Sequence, residues 1–199
     1  MSSSAKKAIA IVGIGAIMPD ARDAKTFWKN IKDGKYSITE VPADRWDLAK
    51  YFDADPKAPA KSYTKIGGWV RSFDWDPIKW KMPIPPKVSD MMDLTQKWAI
   101  VGAREALLDY GYPQRPLNQE RTAVIMGNAM GGDIHLYSAA RILYPEVEEQ
   151  LLKAKAFSGL SKDVKDNIIT DLRANVGQNL TTITEDTMPG ELGNIVVTR

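Results

Sequence analysis

"AIAIVGIGAIMPD", residues 8–20, is an apolar run broken by Gly13 and Gly15. Three structures begin this way: the phosphate turn of a dinucleotide-binding domain, the core of a signal peptide, and the first buried strand of a parallel sheet. The dinucleotide turn needs a third glycine where helix and strand pack closely, and a helix N-terminus aimed at the pyrophosphate. Met18 holds that third position, and Pro19 and Asp20 follow it. The next helix is expected to start near Asp23, with Ala24 to Lys32 as its body and Gly34 as its stop. That gap is too long for a phosphate turn, and no second strand ends in an acidic residue about 20 positions on, where a ribose partner would sit. Lys6 and Lys7 ahead of the run resemble a signal peptide's charged start, but the run is β-branched and glycine-punctuated and enters "PDARD" with no small-x-small cleavage pattern. Strands covered on both faces read as continuous apolar runs. Residues 7–12 are therefore expected to form a buried strand.

The composition sets bounds on the rest. The chain has 199 residues, 44% hydrophobic and 26% charged, with a formal net charge of +2, an ordinary globular balance without the basic footprint of a nucleic-acid binder. No stretch approaches the roughly 18 apolar residues of a membrane span. Cysteine is absent, so there is neither a disulfide nor a thiol nucleophile, and a cytoplasmic location is expected.

Beyond the first helix, residues 35–92 are rich in proline and aromatics, including Trp46, Trp69, Trp75 and Trp80. Such apolar content marks an ordered excursion rather than a linker. Within it "WVRSFDWDPIKWK" mixes aromatics with Arg71, Lys79 and Lys81, as a base-stacking surface would. Asp74 and Asp76 cancel that charge, and loop packing is the reading we adopt. Residues 93–110, "DLTQKWAIVGAREALLDY", are the clearest helix. Asp93 and Gln96 stand at capping-box spacing, Gly111 and Pro113 lie beyond the end, and Gly102, Ala103 and Ala106 keep one face small for close packing. "RTAVIMG", 121–127, is expected to be a second buried strand, leading through "GNAMGGD" into a helix capped by Asp133. Past Pro145 two more helical segments are expected, "EVEEQLLKAKAF" and one from Ser161 to about Asn175. "TMPGELGNIVVTR" then begins as a helix should. Two core strands fall short of the five or six in a typical sheet, so the remainder is expected from another chain or from more of the same domain.

Side-chain chemistry is sparse. His135, the single histidine, has neither a nucleophile nor ligand-spaced partners beside it, and reads as a solvated helix-start residue. Asp53 and Asp55 stand next to Pro56, where carboxylates shape turns.

Three stretches nevertheless resemble a known family. "IAIVGIGAIMPDARDAKTFWKNIKDGKYSITEVPADRWD", "YFDADPKAPAKSYTKIGG" and "MDLTQKWAIVGAREALLDYGY" follow, in order, the N-terminal motifs of β-ketoacyl synthase domains of modular polyketide and fatty acid synthases. The resemblance runs through residues 8–132 and again near 189–199, with "VPADRWD" and "MDLTQ" its most specific signatures. "MGNAMGGDIHL" and the extra helices at 146–180 look most like the ketosynthase of bacterial polyunsaturated fatty acid synthases. The resemblance implies an α/β class: the N-terminal part of a thiolase-like (condensing enzyme) fold, with an incomplete sheet and helical insertions, residues 1–199 ending before the family's catalytic cysteine. In that reading Gly13 and Gly15 close the first core strand and bind no phosphate.

The implied reaction is an acyltransferase's decarboxylative Claisen condensation of acyl and malonyl thioesters. These are held on the phosphopantetheine of a partner acyl carrier protein, and the complete enzyme is expected to be a homodimer. The family's cysteine and two histidines have no counterparts here, so the resemblance implies no catalytic residue, no metal and no cofactor bound by this chain. It places Asn128, Met130 and Gly131 at the deep end of the acyl pocket, as substrate-binding residues beside the dimer interface. A non-catalytic interaction module, pairing with a ketosynthase-like partner, is the alternative.

Overall fold

The computed structural model describes residues 8–128, 132–180 and 182–197. They fall into two compact units, one drawn from residues 8–75 and 101–122, the other from 76–100 and the described residues from 123 to 197.

In the first unit, helix α1 spans Ala24–Lys32, within the expected bounds. Asp23 caps it by accepting a 2.7 Å hydrogen bond from the Thr26 N–H, which holds the Asp23 carboxyl below its ordinary pKa. Lys29 and Lys32 in the last turn complement the helix dipole. Gly34, at φ +63°, then turns the chain in the left-handed region that only glycine enters freely. A two-stranded antiparallel ribbon follows, β1 (Ile38–Glu40) against β2 (Ile66–Gly68), with Thr39 opposite Gly67. Between them lies the short helix α2, Leu48–Tyr51.

The aromatic stretch packs as a loop. The Trp69 indole N–H donates to the Thr39 carbonyl at 3.1 Å, and Arg71 donates to Thr39 Oγ1 at 2.8 Å and to Asp20 Oδ1 at 3.0 Å. Asp53 and Asp55 are turn formers as expected, their carboxylates accepting from the Asp55 and Lys57 N–H groups at 2.9 Å each.

The opening run departs from expectation. Residues 8–17 form no strand, and Ile9 is 94% exposed. What holds this segment is α4, Leu94–Tyr110. Its residues 101–110 belong to this unit, and the Ile14 N–H donates to Asp109 Oδ2 at 2.9 Å. A Cβ on Gly15 would fall inside the radius of the Gly102 carbonyl oxygen and 2.8 Å from the Ala106 nitrogen. One on Gly13 would overlap the Ala106 carbonyl oxygen and lie 3.0 Å from the Tyr110 nitrogen. The small face of α4 and the Gly-x-Gly pair are thus two sides of one backbone-to-backbone approach, and the glycines serve packing rather than phosphate.

In the second unit α3 (Pro86–Met91) leads into the first turns of α4. Residues 122–128 are likewise not a strand: Ile125 is 89% exposed and Val124 also faces solvent. Helix α5, Asp133–Lys153, runs straight through Pro145 rather than ending there, and the short α6 (Lys155–Ser158) and α7 (Lys162–Asn179) follow. Arg173 on α7 grips Glu148 on α5 with two bonds, Nε to Oε2 at 3.0 Å and Nη2 to Oε1 at 2.5 Å, and holds that carboxyl below its usual pKa. Arg141 donates to the Leu180 carbonyl at 2.8 Å. These two arginines brace α5 on both sides of the proline, whose missing N–H and ring would otherwise weaken the helix. Helix α8, Thr187–Glu191, is followed by a short 3₁₀ segment, Gly193–Val197. Val196 there is buried. Met92, Ile100, Phe157 and Ile169 make up most of the unit's apolar core.

Candidate functional site

Among the described residues, a dense buried polar construction lies in the second unit, where the first turns of α4 and α5 meet α8. Asp93 is 1% exposed. Its Oδ1 accepts from the Thr95 N–H at 2.8 Å and from Thr95 Oγ1 at 2.9 Å, which caps α4. Its Oδ2 accepts from the Ile134 N–H at 3.3 Å, and its own N–H donates to the Gly190 carbonyl at 2.9 Å. One residue therefore joins three elements. Gln96, equally buried, does not reach back to close a capping box with Asp93. Its Nε2 donates instead to the Pro189 carbonyl at 2.8 Å and the Leu192 carbonyl at 3.4 Å, fastening α8. The expected cap of α5 is also reassigned: Gly132 occupies the cap position with no side-chain bond, Asp133 is the first helical residue, and the capping oxygen comes from Asp93. The spacing of "DLTQ" announces a cap in sequence, but nothing local announces its long-range partners.

Gly132 is glycine for want of room. Its φ is −85°, open to any residue, but a Cβ would overlap both Asp93 carboxylate oxygens. Asn128 Nδ2 lies 3.3 Å from where a Cβ on Gly193 would stand. Asn128 and Gly132 thus both lie against the α4–α8 assembly, while Met130 and Gly131 fall outside the described residues.

His135 is half-exposed on the first turn of α5, with Nδ1 3.7 Å from Oε1 of the nearly buried Glu191. Among the described residues no nucleophile joins this pair, and the arrangement offers a link between α5 and α8 rather than a catalytic dyad. Lys97, one turn into α4, is held below its ordinary pKa by burial, against the opposing pull of Asp90 and Asp93. Among the described residues no group of three or more histidines, cysteines or carboxylates gathers to hold a metal ion, and no helix is long and apolar enough to cross a membrane.

A polar knot at the ends of three helices, with glycines cut to fit it, is a positioning device for the chain around it, and comparison with known proteins says whose. The profile of the "Beta-ketoacyl synthase, N-terminal domain" family matches residues 6–181. The chain belongs to the β-ketoacyl synthase family. The α/β class is that of the N-terminal part of the thiolase-like condensing-enzyme fold, here a small ribbon with helical insertions.

Among its relatives, polyketide synthase PksL of Bacillus subtilis is 33% identical over 141 residues, covering 70% of this chain and 3% of that protein. Polyketide synthase ThaG of Burkholderia thailandensis is 34% identical over 131 residues, covering 65% of this chain and 2% of that protein. A phenolphthiocerol/phthiocerol polyketide synthase of Mycobacterium tuberculosis is 37% identical over 123 residues, 60% of this chain and 8% of that one. A solved structure, the Streptomyces albus JA3453 oxazolomycin ketosynthase domain OzmH KS7, is 34% identical with a TM-score of 0.44, covering 50% of this chain and 17% of that chain. The ketosynthase segment here thus spans a few per cent of the length of the polyketide synthases it matches.

Proposed function

We propose that this chain is the amino-terminal part of a ketosynthase whose complete form condenses acyl and malonyl thioesters. The two thioesters are carried on the phosphopantetheine of an acyl carrier protein. A nucleophile first takes the acyl group as a thioester; decarboxylation of the malonyl unit then yields an enolate that attacks it. The observation that carries this reading is the family match along residues 6–181. The resemblance of "MGNAMGGDIHL" and of the helical segments at 146–180 favours polyunsaturated fatty acid synthesis as the parent pathway, in a cytoplasmic, homodimeric enzyme.

The 199 residues supply pocket and scaffold but not the chemistry. A thioester intermediate requires a nucleophile such as a thiolate, and the sequence contains no cysteine. Incubated with malonyl-carrier protein, the chain is expected to release no carbon dioxide above a buffer blank. Turnover that disappears on changing His135 would overturn this assignment.

Within the complete enzyme, Asn128, Met130 and Gly131 form the deep wall of the acyl pocket. An unbranched thioether yields to chains of different length, so Met130→Trp should shorten the acyl primers accepted while leaving loading of the shortest nearly intact. Acylation rates across a primer series measure it, and an equal loss at every length would remove Met130 from the pocket.

The interaction-module reading draws on one specific observation, the solvent exposure of Ile9, Ile11, Val124 and Ile125. Those segments are shaped for burial, and a ketosynthase-like partner is what would bury them. Carbon dioxide release restored by mixing the chain with a cysteine-bearing ketosynthase piece would favour the enzyme reading; binding without turnover would favour the module.

A further inference from the structure

We infer that the cleft between α5 and α7 is a binding site for a small aliphatic monocarboxylate. The cleft holds about 400 Å³, within the roughly 300–1,000 Å³ of small-molecule sites. Among the described residues that line it are two guanidiniums, Arg141 and Arg173, and one carboxylate, Glu148. The lining therefore carries one net positive charge, which a monoanion balances and a dianion overshoots. Arg173 is placed for such a ligand. Its Nε and Nη2 grip Glu148, so a planar fork that suits carboxylates is already pinned, and its side chain stays 63% exposed against 13% for Glu148. Much of the entropy of ordering a long side chain is thus lost before any ligand arrives. Tyr144 lies beside this pair. Burial first, and then the Glu148 charge, raise its phenol above the ordinary pKa, so it stands at the cleft as a neutral O–H.

The rest of the lining is apolar and open. Val176 and the Pro145 ring supply an aliphatic wall. Pro145 and Gly177, which both line the cleft, are the residue types a helix tolerates least, at about 3 and about 1 kcal/mol in a helix interior. Pro145 lies inside α5. Gly177 lies in the last turn of α7, where its backbone is not left-handed and a Cβ would meet nothing within 4 Å. Neither backbone angle nor packing against the chain asks for glycine there. A side chain at 177 would extend into the space that Gly177 lines, and its absence leaves depth for a short alkyl body.

Calorimetric titration of the 199-residue chain with octanoate, octanamide and inorganic phosphate tests the site. Octanoate should bind at least tenfold more tightly than either of the others, since the amide keeps the alkyl chain without the charge and phosphate keeps charge without the chain. Gly177→Leu fills the cleft with a better helix former and should weaken octanoate at least tenfold, with the helical signal in circular dichroism retained. Arg141→Gln removes the net charge and should bring octanoate to the affinity of octanamide. Arg141 also braces α5, so that variant is read only where its helical signal matches the native chain, and Gly177→Leu decides the matter where it does not. Octanoate binding that Gly177→Leu leaves unchanged, or that octanamide equals, would place the ligand on the exposed apolar side chains and overturn the site. Phosphate binding as tightly as octanoate would overturn the aliphatic ligand, and so would the absence of any binding at roughly 10 mM octanoate.

Discussion

Gly15→Ala lowers the stability of the first unit by about 3 kcal/mol or more, whereas Gly102→Ala, on the other side of the same contact, leaves it unchanged or raises it by up to about 1 kcal/mol. The asymmetry follows from which atoms are crowded. A methyl on Gly15 points into the Gly102 carbonyl and the Ala106 nitrogen, both backbone atoms of a regular helix that cannot step aside as a side chain tip would. A methyl on Gly102 meets nothing within 4 Å, so there alanine's better helix propensity acts alone. Overpacking against rigid backbone forces either α4 or the 8–17 segment to move, and the Ile14 N–H bond to Asp109 then lengthens as well. Guanidinium denaturation followed by far-ultraviolet circular dichroism reads both variants. A cost below about 0.5 kcal/mol for Gly15→Ala would mean that the approach relaxes freely and that the Gly-x-Gly pair has another purpose.

Local features of this chain are legible in sequence because their causes are local. Asp23 and Gly34 delimit α1 by a cap and a left-handed turn, each a property of a single residue and its neighbours. The Asp53 and Asp55 turns are of the same kind. Helix α4 is legible from its apolar run and flanking residues, and its small face correctly announces a close neighbour.

Where the cause lies far along the chain, sequence patterns mislead. The ribbon of β1 and β2 has three residues to a strand, too short for any alternation, and is secured instead by Trp69 and Arg71 bonding back to Thr39. Pro145 reads as a helix boundary, yet α5 passes through it, braced by Arg141 and Arg173 from contacts with Leu180 and Glu148. In the candidate site, Asp93 and Gln96 have the spacing of a capping box, while their partners at Ile134, Pro189 and Leu192 lie 41 to 96 residues away. Residues 7–12 and 121–127 carry the composition of buried strands, but a strand exists only with a neighbour to pair with, and no described residue pairs with either segment.

Those two segments govern the behaviour of the chain in solution. The native chain is expected to elute from a sizing column, loaded at roughly 50 µM, well above its 22.1 kDa mass, and Ile11→Lys combined with Ile125→Asp should return most of it to the monomer position. Ile9, Ile11 and Ile125 each expose more than four-fifths of their surface, and Val12, Ile14 and Val124 more than half. Each segment therefore presents β-branched side chains to solvent and joins no ladder among the described residues. Unladdered segments with exposed apolar side chains recruit other chains through backbone hydrogen bonding and apolar burial together. A charge at a highly exposed position of each segment opposes both. A lysine or aspartate introduced there keeps its hydration in the monomer and would lose it in a paired edge, so the cost falls on the assembly and not on the fold. Circular dichroism should accordingly show the helical content of α1, α4, α5 and α7 unchanged in the double variant. A native chain that runs as a single monomeric species at that concentration would show that the exposed rows are tolerated as they stand, and would count against any partner, in the same chain or another, being required to cover them.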